Sequence, residues 1–121
     1  MPFSATSTRR MAGVDPRLVA VMKAAREISP VPFEISEGMR TRERQAYLVR
    51  TGKSRTMNSY HLKGKAVDVV AMPGGKVSWD LVDYRKINTA VQKAAKAAGL
   101  TVTWGGSWKS IVDGPHFQAE V

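Results

Sequence analysis

Residues 66–72, Ala-Val-Asp-Val-Val-Ala-Met, are rich in β-branched and apolar side chains at positions that would face both sides of a sheet. A run of this kind reads as an interior strand, paired on both edges. One carboxylate, Asp68, sits inside it. An ionised carboxylate in such a place costs several kcal/mol unless it is paired, protonated or bound to a metal. The fold must therefore deliver a partner to Asp68.

The chain has 121 residues and a mass of 13.3 kDa, room for one core and not for two. With 43% hydrophobic and 24% charged residues, it is neither a disordered tail nor a fibrous repeat. A chain of this size buries roughly two thirds of its unfolded surface and stands without covalent staples. It contains no cysteine, which excludes disulfides, thiolate zinc sites, iron–sulfur clusters and cysteine nucleophiles. Any metal must be held by His, Asp or Glu, and His61 and His116 are the only imidazoles.

Local signals predict the elements. Residues 1–13 read as a loosely ordered lead-in to a single domain spanning 1–121. Asp15-Pro16 caps a helix carrying Leu18, Val21, Met22, Ala25 and Ile28, which ends at Ser29-Pro30. A strand is predicted at 32–36, and Thr41 caps a second helix over about 42–50. Residues 52–59 read as loop and 73–75 as a turn; Ser78 is the predicted cap of the longest helix, which bears Leu81, Tyr84, Ile87, Val91, Ala94 and Ala98 and stops at Gly99. Strands are predicted at 101–104 and 116–121 around the Gly105-Gly106 turn. Without regular βαβ alternation, the pattern is α+β: a small, mainly antiparallel sheet with helices packed against it.

Nineteen basic against ten acidic residues give a net charge of +9, and the sequence pI is near 10.3. Residues 37–65 hold Arg40, Arg42, Arg44, Arg50, Lys53, Arg55, Lys63 and Lys65 against Glu37 and Glu43, eight minus two, or +6 of that total. An anionic partner follows: nucleic acid, an acidic membrane face or cell-wall polymer. No apolar stretch resembles a secretory signal or reaches a membrane span, so a protein made in the cytoplasm is expected.

His61 precedes Asp68 by seven residues, with Gly64 between them to turn the chain. In Asp113-Gly114-Pro115-His116 a turn and a stiff proline lead to the second histidine. Three ligands from His and Asp with a fourth position open describe a catalytic zinc site, and His61, Asp68 and His116 supply three. Asp113 is then left as a carboxylate able to carry a proton, and Arg40 as a charge for a developing oxyanion. Each residue also has an ordinary structural reading. The histidines can be surface or satisfied core residues, Asp68 can pair with a buried cation, and Asp113 can be a turn residue. Arg40, Arg42 and Arg44 can be a solvated helix face, and Trp104 and Trp108 packing residues.

Four blocks in order distinguish these readings. Ser59-Tyr60-His61-Leu62-Lys63-Gly64-Lys65-Ala66-Val67-Asp68 resembles the S-x-H-x-x-G-x-A-x-D signature of the VanY-like zinc peptidases. Glu37-Gly38-Met39-Arg40-Thr41 with Gln45 is similar to their E-G-x-R-T…Q segment. Trp104-Gly105-Gly106-Ser107-Trp108 and Asp113-Gly114-Pro115-His116-Phe117 are similar to their W-G-G-x-W and D-x-P-H-F blocks, so the likeness runs from about Val14 to Phe117. Two departures stand out: Ser107 where an acid is common, and Gln118 where Glu is usual.

The resemblance implies a hedgehog/D,D-peptidase-like fold with zinc in its cleft, held by His61, Asp68 and His116. It implies Asp113 as acid/base, Arg40 on the polarised carbonyl and Ser59 as a supporting hydrogen-bond donor. The family includes D-alanyl-D-alanine carboxypeptidases and dipeptidases, and L-alanyl-D-glutamate endopeptidases that serve bacteriophages as endolysins. The free α-carboxylate of a D-glutamyl residue suits a cleft near Arg40, Arg42 and Lys63, which favours the endopeptidase. The expectation is a monomer acting on bacterial peptidoglycan after release through a permeabilised membrane, with no nucleic acid as specific partner. The alternatives are a D,D-carboxypeptidase, a basic nucleic-acid-binding module, and a metal-binding but inactive homologue, against which Asp113 argues.

Overall fold

The computed structural model describes residues 2–54, 57, 59–108 and 112–121. Arg55 of the basic segment and part of the predicted 52–59 loop lie outside the described residues. The helices are α1 (Ala5–Arg10), α2 (Pro16–Ile28), α3 (Arg42–Arg50) and α4 (Leu81–Ala98); the strands are β1 (Phe33–Glu37), β2 (Ala66–Ala71), β3 (Val102–Trp104) and β4 (His116–Ala119). Single 3-10 turns occupy Tyr60–Lys63, Pro73–Gly75 and Gly105–Ser107. The strands form one sheet in the order β1-β2-β4-β3, antiparallel throughout, so β2 is interior as its composition predicts.

Register gives the sheet two different faces. The pairs Ile35–Val69, Val67–Phe117 and Phe117–Trp104 fall on one face, which joins Leu18, Val21 and Met22 of α2 and Ile87 and Val91 of α4 in a single core. The pairs Asp68–His116 and Thr103–Gln118 fall on the other. Only one face of β2 therefore lies in the helix-covered core, whereas both of its faces read as apolar; Asp68 and Val70 are half-buried on the opposite side. A register shift between Ile35 and Glu37 turns Glu37 to Asp68's side of the sheet, where unbroken alternation would keep it with Ile35.

The lead-in is not loosely ordered. Ser4 caps α1, and Ser7 donates to Glu34 Oε1 at 2.5 Å while accepting from the Ile35 N–H at 2.9 Å. Arg10 donates to the Ile35 carbonyl at 3.0 Å, so α1 satisfies the outward backbone groups of the edge strand. Met11 and Val14 then enter the core. No apolar stripe announces this helix, because polar side chains hold it in place. The longest helix is capped by Asp80, which accepts from the Val82 N–H at 3.0 Å. Ser78, the predicted cap, instead bonds Asp83 at 2.6 Å. The last strand ends at Ala119, two residues short of the prediction.

Candidate metal centre

The β2–β4 register sets Asp68 and His116 side by side, with His116 Nδ1 3.2 Å from Asp68 Oδ1. His61 arrives from the 3-10 turn just before β2. Ser59 caps that turn by accepting from the His61 N–H at 3.2 Å, and Gly64 ends it at φ 68°. A Cβ on Gly64 would also overlap the Gly13 carbonyl oxygen, so both backbone conformation and space require glycine there. Asp15 N–H donates to the Gly64 carbonyl at 2.7 Å and Arg40 N–H to the His61 carbonyl at 2.9 Å, anchoring the turn at both ends. His61 Nε2 is thereby held 3.3 Å from the same Asp68 oxygen.

Outer hydrogen bonds assign the imidazole protons. His61 Nδ1 lies 2.8 Å from the Gly38 carbonyl, which can only accept, so Nδ1 carries a proton and Nε2 presents its lone pair. That Nε2 is buried and has no hydrogen-bond partner among the described residues. His116 Nε2 lies 2.8 Å from Gln118 Oε1, an acceptor that puts the proton on Nε2 and leaves Nδ1 bare toward Asp68. Two imidazole lone pairs and a carboxylate oxygen thus converge, with all three candidate ligand atoms within 4.8 Å of one another. Electron-rich atoms pressed together in a buried site need a positive charge between them, either added protons or a cation. The His/Asp/His group therefore fits a metal ion.

Electrostatics agree. Burial would raise the Asp68 carboxyl, but the hydrogen bonds and charge that His116 and His61 offer it when protonated hold it well below the usual carboxylate range. Burial would lower His116, yet the Asp68 carboxylate beside it, ready to accept from the protonated ring, leaves it raised. Burial pushes Asp113 up, and the Asp68 charge adds to that.

The remaining predicted residues gather around the same cleft, of about 390 Å³, which Arg40, Ser59, Trp108 and Asp113 help to line. Arg40 is 9% exposed. It donates to Glu37 Oε1 and to Gln45 Oε1, both at 2.7 Å, and its Nη2 lies 3.6 Å from Asp68 Oδ2. It is not part of a solvated helix face. Asp113 is set by the turn before β4: its carbonyl accepts from His116 N–H at 3.2 Å and its N–H donates to Gly105 at 3.0 Å. A Cβ on Gly105 would overlap the Asp113 carbonyl oxygen, so glycine here lets the two loops close together. Trp104 belongs to the core and its indole donates to the Gly114 carbonyl at 2.7 Å. The Trp108 ring lies 5.1 Å from that of His116.

The Ser59 hydroxyl lines the cleft and accepts from the His61 backbone, a bond that leaves its own O–H for the donor role expected of it. Arg42 and Lys63 were expected near the cleft; among the described residues Lys53 is the lysine that lines it. Gln118, whose departure from the usual Glu points to altered bonding around His116, also lines it and hydrogen-bonds that imidazole. Its position two residues after His116, on the same strand face, is the signal for that bond.

Residues 1–119 match the model of the phage L-alanyl-D-glutamate peptidase family. The chain belongs to that family. It is 42% identical over 92 residues to the L-alanyl-D-glutamate peptidase of Listeria phage A118, covering 76% of this chain and 32% of that protein. With the L-alanyl-D-glutamate peptidase of Escherichia phage T5 it shares 31% over 115 residues, 92% of this chain and 84% of that one. The peptidoglycan L-alanyl-D-glutamate endopeptidase CwlK of Bacillus subtilis (strain 168) is 30% identical over 112 residues, 80% of this chain and 66% of the relative. The chain thus spans about a third of the Listeria phage relative and most of the T5 one. The crystal structure of the Serratia marcescens L-Ala D-Glu endopeptidase ChiX superposes with a TM-score of 0.93 at 50% identity, covering 98% of this chain and 90% of that one. The family assignment accords with the predicted α+β fold and with the kinship read from the four sequence blocks.

Proposed function

We propose that this family member is a zinc-dependent peptidoglycan endopeptidase that hydrolyses the L-alanyl–D-glutamate bond of stem peptides. The observation that carries the reading is the convergence of His61 Nε2, Asp68 Oδ1 and His116 Nδ1 on one point, with no donor among them, beside the carboxylate of Asp113. Those three atoms would hold the ion. Zinc suits a mixed nitrogen and oxygen set, and when bound it would acidify a water and polarise the scissile carbonyl.

The chain's own residues then divide the work. Asp113, its carboxyl raised by burial, accepts the proton of the attacking water and hands it to the departing D-glutamyl amine. Arg40 keeps a permanent positive charge beside the reacting carbonyl, and its bonds to Glu37 and Gln45 prevent it from swinging away as the oxyanion develops. Ser59 acts through the backbone by fixing the turn that carries His61. Lys53 at the cleft wall supplies a second cation for the free α-carboxylate of the D-glutamyl residue.

No helix among the described residues is long and apolar enough to cross a membrane. Release to the cell wall through a membrane opened by another protein completes the proposed role as an endolysin. The test is mass spectrometry of digested peptidoglycan. New N-terminal D-glutamate, abolished by chelator, is the expected product. Released D-alanine would select the D,D-carboxypeptidase, and intact stem peptides would overturn both.

A further inference from the structure

The tautomer of His116 depends on a side chain that is not a natural tautomer lock. Gln118 presents a carbonyl oxygen at one end of its amide and an NH₂ at the other, and the two are nearly isosteric. With Oε1 toward His116 Nε2, as found at 2.8 Å, the imidazole proton sits on Nε2 and Nδ1 faces Asp68 with its lone pair. Rotated by half a turn, the amide would donate to Nε2, drive the proton to Nδ1 and point an N–H where a lone pair is needed.

One residue decides between the two orientations. Gln118 Nε2 donates to Glu120 Oε1 at 2.7 Å, and a carboxylate can only accept, so the NH₂ must face Glu120 and the carbonyl must face His116. Glu120 is itself aimed. Its other oxygen accepts from the Tyr60 hydroxyl at 2.9 Å, the Thr103 side chain also hydrogen-bonds it, and its N–H donates to the Thr101 carbonyl at 2.9 Å. The relay runs along one face of β4 and just past its end, through residues 116, 118 and 120, and closes on Tyr60, the neighbour of His61.

We infer that Glu120, exposed and outside the cleft, is a positioning residue that sets the proton on His116 Nε2 by fixing the orientation of the Gln118 amide. This rests on the metal reading above only for its consequence, since the tautomer is a property of the metal-free chain. Glu120 contributes no atom to the reaction.

A double-mutant comparison tests it. Zinc affinity is measured by chelator competition, and the His116 tautomer by ¹⁵N imidazole shifts of metal-free protein at alkaline pH. The proteins are wild type, Glu120→Ala, Gln118→Glu and the double variant. In the wild-type background Glu120→Ala should weaken zinc by about tenfold and bring a population of Nδ1–H tautomer into view. Glutamate at 118 accepts in either orientation, so in that background Glu120→Ala should change zinc affinity by less than about twofold and leave the Nε2–H tautomer intact. An unchanged tautomer and affinity in Glu120→Ala would overturn the inference, and so would equal losses in both backgrounds, because that marks a general structural role. If wild type bound no zinc, the metal reading would fall, and the imidazole signals alone would decide the tautomer lock.

Discussion

The rings of His61 and His116 lie with centroids 5.2 Å apart and planes inclined at 66°, and each turns an unprotonated nitrogen to the same oxygen of Asp68. Two residues 55 positions apart in the chain meet this way because a capped turn leads into β2 and a stiff turn leads into its antiparallel neighbour β4.

Removing one donor should break this centre. Asp68→Asn or His61→Ala should lose stoichiometric zinc in equilibrium dialysis followed by elemental analysis, and chelation of wild type should abolish wall lysis. A variant with full zinc and full lysis would remove that residue from the ligand set.

Asp113→Asn should retain zinc and lose about 100-fold or more in turnover. A base works only when ionised, and burial followed by the Asp68 charge raises Asp113 above its ordinary 3.8. The acid limb of the wild-type rate should therefore lie above that value, with activity present at higher pH and lost as pH falls through the raised pKa. A bound cation offsets the Asp68 contribution but not the burial. An unchanged profile in Asp113→Asn would move the proton-transfer role to another group.

Arg40 links Glu37, Gln45 and Asp68 from a side chain only 8% exposed. Arg40→Ala leaves partly buried carboxylates without their cation and should cost about 3 kcal/mol in metal-free urea unfolding. Arg40→Lys should recover little of this, because one ammonium cannot reproduce the planar fork that reaches three partners. Full recovery by lysine would mean that charge alone matters at this position.

The α1 clamp should show its own pH dependence. Burial tends to raise Glu34, but hydrogen bonds from Ser7, Ser4 and Arg26 leave it lowered from its ordinary 4.5. A depressed carboxyl contributes stability that is fully present above that ordinary value and lost as pH falls through the lower folded one. Ser7→Ala should destabilise by about 2 kcal/mol, since it also leaves the buried Ile35 N–H without an acceptor. Glu34→Gln should flatten the acid side of the stability curve, and a curve unchanged from wild type would detach Glu34 from the clamp.

Much of the fold was legible because its signals are local. The Asp15-Pro16 start of α2, the Thr41 cap of α3 and the Gly99 stop of α4 are each a few adjacent residues acting on their own backbone, and the structure places all three where they were read. Helix α1 was missed because it is held by Ser7 and Arg10 against a strand 25 to 28 residues away, a long-range polar contact that leaves no periodicity. The Glu37 shift was missed because a bulge depends on how two strands pair and not on either strand alone.

By itself the sequence determined which chemistry was available: no thiols, two imidazoles, and an acid stranded in an apolar strand that had to find a partner. Only the tertiary structure decided which atoms meet. Register chose the face on which Asp68 and His116 stand, and the Gly38 carbonyl and the Gln118 amide chose which imidazole nitrogens remain bare. Residue type limits what a side chain can donate or accept, but the direction of a lone pair is set by hydrogen bonds from parts of the chain that meet only when it folds.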